Sequence, residues 1–552
     1  MLLIFVFQSL ACFHGIQGFL FETTDVHQVD ATADTDCGRV RGNWSRNDGA
    51  ISFLGIPYAE PPVGNLRWRP PVPIRKNRNN CWSDTLLAEQ FGSKCVQRDP
   101  DNSSKTVGSE DCLFLNVFTP TLNTSAELPV MFWIHGGGLT SGTGSEPGYS
   151  PTAALAKSLN VVFVSINYRL NAFGFMALEW LKGGSSTNTS GNYGFMDAIQ
   201  GLHWVQENIK NFGGNPQDVT VFGQSSGGTV VVALLASPLC KGLFHKAWML
   251  SASPVLNKTA SDAFKDNEVF VKNTGCGDVH CLYNLSASEV TSSVPWDIYP
   301  YWGMEDLIEL PEKGKFDGAL AIVDGYVLTE SPFEAWINGN GVDVPVLVGT
   351  TAQETDIGLF YQGISNWTWG TKEYKDHVTQ KLNSFSESLA LTAANLYPEN
   401  VSTPEFQFTS MVTDVRVTCG NDYLATVLAA GFTSPVYRYV ATYYTKNHDS
   451  TFAYGDIQSN YAFHGIDIYA FFNEMASAMT DTPGPADNAW KDNVQREAVN
   501  FVTMGKPATA EWLRYPGTTA ELDTDTKVFR GYHTSQCQFW LKNGFFAYSW
   551  IN

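Results

Sequence analysis

Ser225 stands in Val219-Thr220-Val221-Phe222-Gly223-Gln224-Ser225-Ser226-Gly227-Gly228. A β-branched apolar run enters a Gly-x-Ser-x-Gly turn. The run Thr229 to Leu235 that follows is able to start a helix. A strand, a sharp turn and a helix hold a serine in a strained backbone and push its hydroxyl outward. The same turn aims the backbone N–H of Ser226 at the same point in space.

A serine hydroxyl is a poor nucleophile at neutral pH, so it needs a base within hydrogen-bond reach and an acid to orient that base. Four histidines follow late enough in the chain: His377, His448, His464 and His533. His464 lies in Tyr461-Ala462-Phe463-His464-Gly465-Ile466-Asp467, where the glycine lets a loop turn the imidazole inward. His448 reads as part of a solvated turn, Lys446 to Ser450. The acid should end a strand between serine and histidine. Val344 to Gly349 is such a strand, and both Glu354 and Asp356 follow it. Developing charge on an attacked carbonyl calls for preorganised N–H donors. His135-Gly136-Gly137-Gly138 offers bare backbone for this after another apolar run. In well-studied enzymes each such donor lowers the barrier by about 3 kcal/mol.

The elements that must position these groups are legible as β-rich runs: 128–134, 160–167, 219–222, 246–250, 344–348 and 436–444. Between the second and third, apolar Ile199, Leu202, Val205 and Ile209 recur at helical spacing and predict an amphipathic helix over 197–209. Alternating strands and helices imply a mostly parallel sheet covered on both faces. Ligands in such sheets bind beyond the C-terminal strand ends. Both glycine-rich motifs fall just there.

The chain has 552 residues, yet no linker, charge block or repeat divides it, so residues 19–552 read as one large domain. The apolar content of 43% suits a large packed core. A net charge of −20 argues against nucleic acid or an anionic membrane as main partner. Met1 to Phe7 is apolar but too short to span a bilayer. Small residues follow it, and residues 1–18 read as a secretory signal peptide. No further run is long enough for a membrane anchor, and the final residues carry neither a retention signal nor a lipid-anchor tail. Eight Asn-x-Ser/Thr sites, at Asn43, Asn102, Asn123, Asn188, Asn257, Asn284, Asn366 and Asn400, agree with secretion. Of ten cysteines, Cys12 leaves with the leader. The odd remainder implies one unpaired thiol. No cysteine spacing reads as a zinc site. Cys276, His280 and Cys281 read as a disulfide-closed loop rather than a metal centre.

Taken together these residues resemble the type-B carboxylesterase/cholinesterase family of α/β hydrolases, over Cys37 to Cys537. The markers occur in family order: Phe53-Leu54-Gly55-Ile56-Pro57-Tyr58-Ala59-Glu60-Pro61-Pro62, Glu110-Asp111-Cys112-Leu113-Phe114-Leu115-Asn116-Val117, the His-Gly-Gly-Gly run, Asn167-Tyr168-Arg169-Leu170, Asn211-Phe212-Gly213-Gly214-Asn215-Pro216, the serine turn, Val323-Asp324-Gly325 and Phe463-His464-Gly465. The resemblance implies an α/β-hydrolase fold, with a large mostly parallel sheet flanked by helices. It implies Ser225 as nucleophile, Glu354 as acid, five residues after Gly349, and His464 as base. Gly137, Gly138 and Ser226 become the oxyanion donors. It also implies disulfides Cys95–Cys112, Cys276–Cys281 and Cys419–Cys537, and ion pairs Arg67–Glu110 and Arg169–Asp197. Cys37 and Cys81 remain for an extra bridge, with Cys240 as the free thiol.

The departures narrow the substrate. Gln224 replaces the usual Glu before the serine, and Ser226 the usual Ala after it. The Cys95–Cys112 loop has no tryptophan of the kind on which cholinesterases stack the choline ammonium. The tryptophan expected after Ser253-Pro254 is missing too, with Lys258 near its place, and the aromatic acyl-pocket pair is reduced to Phe316. The expectation is a secreted serine hydrolase of neutral carboxylic esters, with no cofactor or metal. The rivals are a lipase acting on acylglycerols and a catalytically silent adhesion protein.

Overall fold

The computed structural model describes residues 31–550, apart from 76–79, 101, 297–308, 315–319, 357–367, 398–402, 446–451, 455–456, 460 and 480. The expected leader, Phe316, His448, Asn366 and Asn400 lie outside the described residues.

The run Leu128–Ile134 contains no polar side chain, and burial on both of its faces explains why. Val130, Phe132 and Ile134 enter one hydrophobic cluster while Met131 and Trp133 enter another. Such double burial marks a central strand of a parallel sheet. The main sheet has strands β1 (Asn43–Ser45), β2 (Ala50–Pro57), β3 (Phe114–Thr119), β4 (Leu128–Ile134), β5 (Val162–Ile166), β6 (Gly214–Gln224), β7 (Lys246–Leu250), β8 (Val346–Thr351), β9 (Val436–Ala441), β10 (Thr519–Leu522) and β11 (Thr526–Phe529). Their spatial order is β11-β10-β9-β8-β7-β6-β4-β5-β3-β2-β1. From β5 across to β10 the pairing is parallel, and the outer strands at both edges are antiparallel.

Helices α1 (Ala153–Leu159), α2 (Tyr193–Asn208), α3 (Ser226–Ala236), α4 (Cys419–Gly431), α5 (Ile466–Phe471) and α6 (Pro485–Met504) cover the sheet. Leu202 of α2, Val230 of α3 and Leu424 of α4 join the first cluster. Leu155 of α1, Phe471 of α5 and Trp490 of α6 join the second. Residues Ala31–Asn552 form one compact unit. Among the described residues no helix is long and apolar enough to cross a membrane.

Two elements differ from the expectation. Helix α2 begins at Tyr193, four residues early, behind Asn192 in a left-handed conformation (φ 55°). It is buried on nearly every side rather than amphipathic, because its polar Asp197 is neutralised internally by Arg169. The edge strands β1 and β11, and β10 beside the latter, are three or four residues long and carried no periodic signal of their own.

The order of strands positions the site. From β4 the chain moves outward to β5, then returns to the other side of β4 to form β6. The crevice beyond the C-terminal ends of β4 and β6 is therefore a topological switch point, where such sheets bind ligands.

Candidate active site

Ser225 joins β6 to α3 with φ 60° and ψ −129°. A side chain in that region strains the backbone by about 1–3 kcal/mol, so the surroundings must hold it. They do so from two sides: Ser225 N–H donates to Leu250 O at 2.8 Å, and Thr229 N–H donates to Ser225 O at 3.1 Å. The turn crosses directly over the end of β4. A Cβ on Gly227 would lie 2.1 Å from Ile134 O, and one on Gly223 would lie 2.4 Å from the Gly227 backbone. Ser225 itself is only 3% exposed.

Glu354 follows β8 and is fully buried. Its Oε1 accepts from the Ser251 hydroxyl at 2.6 Å and from the Thr351 N–H at 2.7 Å. Its Oε2 faces His464 Nδ1 at 2.5 Å. A carboxylate only accepts, so Nδ1 carries a proton. His464 is placed by Gly465, which begins α5 in the left-handed region (φ 89°), and the indole of Trp550 meets the imidazole edge-on at 5.4 Å. The Nε2 atom lies 3.0 Å from Nε2 of Gln224, whose Oε1 accepts from the Tyr149 hydroxyl. Among the described residues no hydrogen bond joins Ser225 Oγ to that imidazole.

The alternatives open in the sequence go elsewhere. Asp356 accepts from the Ser459 hydroxyl, and burial pushes its carboxyl up to about 7. His377 pairs with Glu309 at 2.9 Å and His533 with Asp414 at 2.9 Å. A further buried carboxylate, Asp467, lies on α5 and accepts from Tyr439 at 2.7 Å. Burial pushes it up to about 6, the Tyr439 hydroxyl works against this, and the neighbouring Glu354 charge adds to it.

The loop after β4 takes left-handed values at three successive residues, Gly137 (φ 115°), Gly138 (φ 62°) and Leu139 (φ 58°). The Gly137 carbonyl is held by the N–H groups of Thr140 and Ser141, both at 3.0 Å, and by their hydroxyls. Among the described residues no acceptor meets the N–H of Gly137 or Gly138. The Ser226 N–H opens α3, where helical geometry supplies no acceptor. Three donors are thus available where a substrate oxygen is expected. His135 braces this loop: its Nδ1–H donates to Gly136 O at 2.8 Å, and its ring stacks on Tyr168. Burial pushes its imidazole down to about 4, so the ring stays neutral. Gln97 ties the loop to the Cys95–Cys112 segment through both of its amide atoms, each 3.0 Å from Gly142.

The frame around the site contains the expected cross-links. Cys37–Cys81, Cys95–Cys112, Cys276–Cys281 and Cys419–Cys537 are joined, and Cys240 is a buried free thiol. Arg67 meets Glu110 through two bonds of 2.6 Å. Arg169 meets Asp197 at 2.7 and 2.8 Å. Among the described residues, the one cluster of possible metal ligands is Asp414, Cys419 and Cys537, and its sulfurs are bonded to each other. Sequence reasoning did not find Ser251, Tyr149 or Trp550. Ser251 had a signal, since it ends the run of β7 just as Ser225 ends that of β6.

A family model described as the carboxylesterase family matches residues 29–540. Para-nitrobenzyl esterase of Bacillus subtilis is 33% identical over 521 residues, covering 91% of this chain and 96% of that protein. Neurotactin of Drosophila melanogaster is 36% identical over 397 residues, which is 70% of this chain; the match spans only 44% of neurotactin's length. Among solved structures, carboxylesterase EST55 of Geobacillus stearothermophilus superimposes with a TM-score of 0.74 at 28% identity, covering 92% of this chain and all of that one.

Proposed function

The chain belongs to the carboxylesterase family, which supports carboxylic-ester hydrolysis, and from that premise we propose that Ser225, His464 and Glu354 carry the reaction through an acyl-enzyme. The observation that carries this reading is the 2.5 Å contact of Glu354 with His464, beside a strained Ser225 at the switch point of the sheet. Ser225 Oγ attacks the ester carbonyl as its proton passes to His464 Nε2. Glu354 then faces an imidazolium, whose charge it stabilises. The tetrahedral oxyanion is received by the N–H groups of Gly137, Gly138 and Ser226. Imidazolium Nε2–H protonates the departing alcohol, and water, activated by the same histidine, releases the acid and restores the Ser225 hydroxyl.

The substrate class in this reading is neutral carboxylic esters. The Cys95–Cys112 loop, bound to the oxyanion loop by Gln97, carries no tryptophan on which an ammonium could stack. Secretion is supported by the apolar leader and by the disulfides, which persist in oxidising compartments. Six described glycosylation sites, Asn43, Asn102, Asn123, Asn188, Asn257 and Asn284, are all exposed, as modification requires.

The deciding experiment is active-site labelling. A fluorophosphonate should label the wild-type protein on Ser225, and Ser225→Ala should abolish the label. A wild-type protein that takes no label and hydrolyses no p-nitrophenyl ester overturns the reading.

A further inference from the structure

Building on the Ser225, His464 and Glu354 roles proposed above, we propose that Gln224 is a positioning residue that caps the base. Its amide N–H occupies the Nε2 lone pair of neutral His464, and the Tyr149 hydroxyl holds the amide in that orientation.

The directions of the hydrogen bonds form one consistent chain. Glu354 accepts from His464 Nδ1–H at 2.5 Å, and in the neutral ring Nε2 is then the acceptor. An amide nitrogen only donates, so the 3.0 Å contact runs from Gln224 to His464. The amide oxygen then faces Tyr149, whose hydroxyl donates to it. Gly136 makes this approach possible, because a Cβ there would fall 2.8 Å from the Tyr149 hydroxyl and 2.7 Å from Gln224 O. Gln224 is 3% exposed, so water does not substitute freely for either contact.

Cap and nucleophile are adjacent residues that compete for one lone pair. Once Ser225 passes its proton to His464, the imidazolium offers Nε2–H and no lone pair. The amide must then rotate to present Oε1. That rotation breaks the bond from the Tyr149 hydroxyl to the amide oxygen, and the hydroxyl must turn to accept an amide N–H instead. A carboxylate, the usual residue of the family at this position, accepts only and favours the imidazolium. Glutamine donates an N–H to the neutral base, which a carboxylate cannot do. The charged groups around the imidazole are Glu354 at Nδ1, Asp467 on α5 and Arg438 behind Glu354. All three stay in place in the variants below.

The test is the pH dependence of kcat/KM for p-nitrophenyl acetate in the wild type, Gln224→Glu, Gln224→Met and Tyr149→Phe. Gln224→Glu should move the acid limb to higher pH by about one unit, a loss of about tenfold on that limb relative to the variant's own plateau. Gln224→Met and Tyr149→Phe should move it the same way by less, because the first removes the donor to the imidazole and the second frees the amide to turn its oxygen toward Nε2. Tyr149→Phe deletes a single oxygen, so it decides the matter even if a Gln224 variant does not fold. A uniform fall in rate at every pH, with the limb unmoved in all folded variants, overturns the inference and leaves Gln224 a packing residue. If the wild type takes no fluorophosphonate and hydrolyses no ester, the functional reading falls and this inference with it. Labelling with an unmoved limb sinks this inference alone.

Discussion

The Ser251 hydroxyl donates to Glu354 Oε1 at 2.6 Å while His464 takes Oε2, so the two oxygens of one buried carboxylate are divided between β7 and the histidine loop. With the Thr351 N–H also on Oε1, the carboxylate cannot rotate without breaking a bond. Ser251→Ala should therefore loosen the acid without removing it. Loss of a hydrogen bond to a charged group is worth about 1.5–3 kcal/mol, so kcat should fall roughly tenfold to a hundredfold. Glu354→Gln removes the charge and unsettles the tautomer, and kcat should fall by about 10^4. Steady-state kinetics on a p-nitrophenyl ester distinguish the two. Equal losses would show that Ser251 does more than hold Glu354.

Gly227→Ala places a methyl group 2.1 Å from Ile134 O and 2.8 Å from His135 O, both backbone atoms of the strand and loop beneath the turn. Neither moves without shifting β4 or the oxyanion loop. Overpacking of this kind costs about 3 kcal/mol or more. The variant should show a lowered thermal midpoint, and the folded fraction should label poorly with fluorophosphonate. A variant with wild-type stability and labelling would mean that α3 can lift away from β4.

The central strands were legible because burial on both faces demands unbroken apolar runs, as in Leu128–Ile134 and residues 247–250. The edge strands β1 and β11 are half exposed and too short for a period to show. The order of serine, acid and histidine was legible through local context, strand ends followed by glycines. The supporting contacts were not. Gln224 meets a histidine 240 positions away, and Ser251 a carboxylate 103 positions away. Such pairs are made by sheet register and loop closure, and nothing in the local composition around either partner announces the other. The choice between Glu354 and Asp356 was open for the same reason. Two residues of spacing decide which carboxylate meets His464 and which meets Ser459.

Asp356 gives a pH dependence of stability with a definite sign. Burial holds its carboxyl at about 7, against the ordinary 3.8; the Ser459 hydroxyl works against this and the Glu405 charge adds to it. A carboxyl raised in the folded state binds its proton more tightly there than in the unfolded chain. Its contribution is complete below about pH 4 and is lost as pH rises through about 7, amounting to about 4 kcal/mol. Asp356→Asn keeps an acceptor for Ser459 but cannot ionise. The thermal midpoint of the variant should gain on that of the wild type between pH 5 and 8, while kcat changes little because Asp356 does not touch His464. An unchanged difference across that range would show that Asp356 ionises freely in the folded protein.

Substrate charge is tested by butyrylcholine against 3,3-dimethylbutyl butyrate, which has carbon in place of the ammonium nitrogen and the same shape. The protein's net charge of −20 draws cations toward it, but beyond about 8 Å that attraction is screened at physiological salt. The local groups should decide. The Cys95–Cys112 loop, which Gln97 fastens to Gly142, has no tryptophan to stack an ammonium. The uncharged ester should be turned over with a kcat/KM at least about tenfold higher, equivalent to about 1.4 kcal/mol of discrimination. If the wild type turns over butyrylcholine as fast as the uncharged ester or faster, the neutral-ester assignment fails.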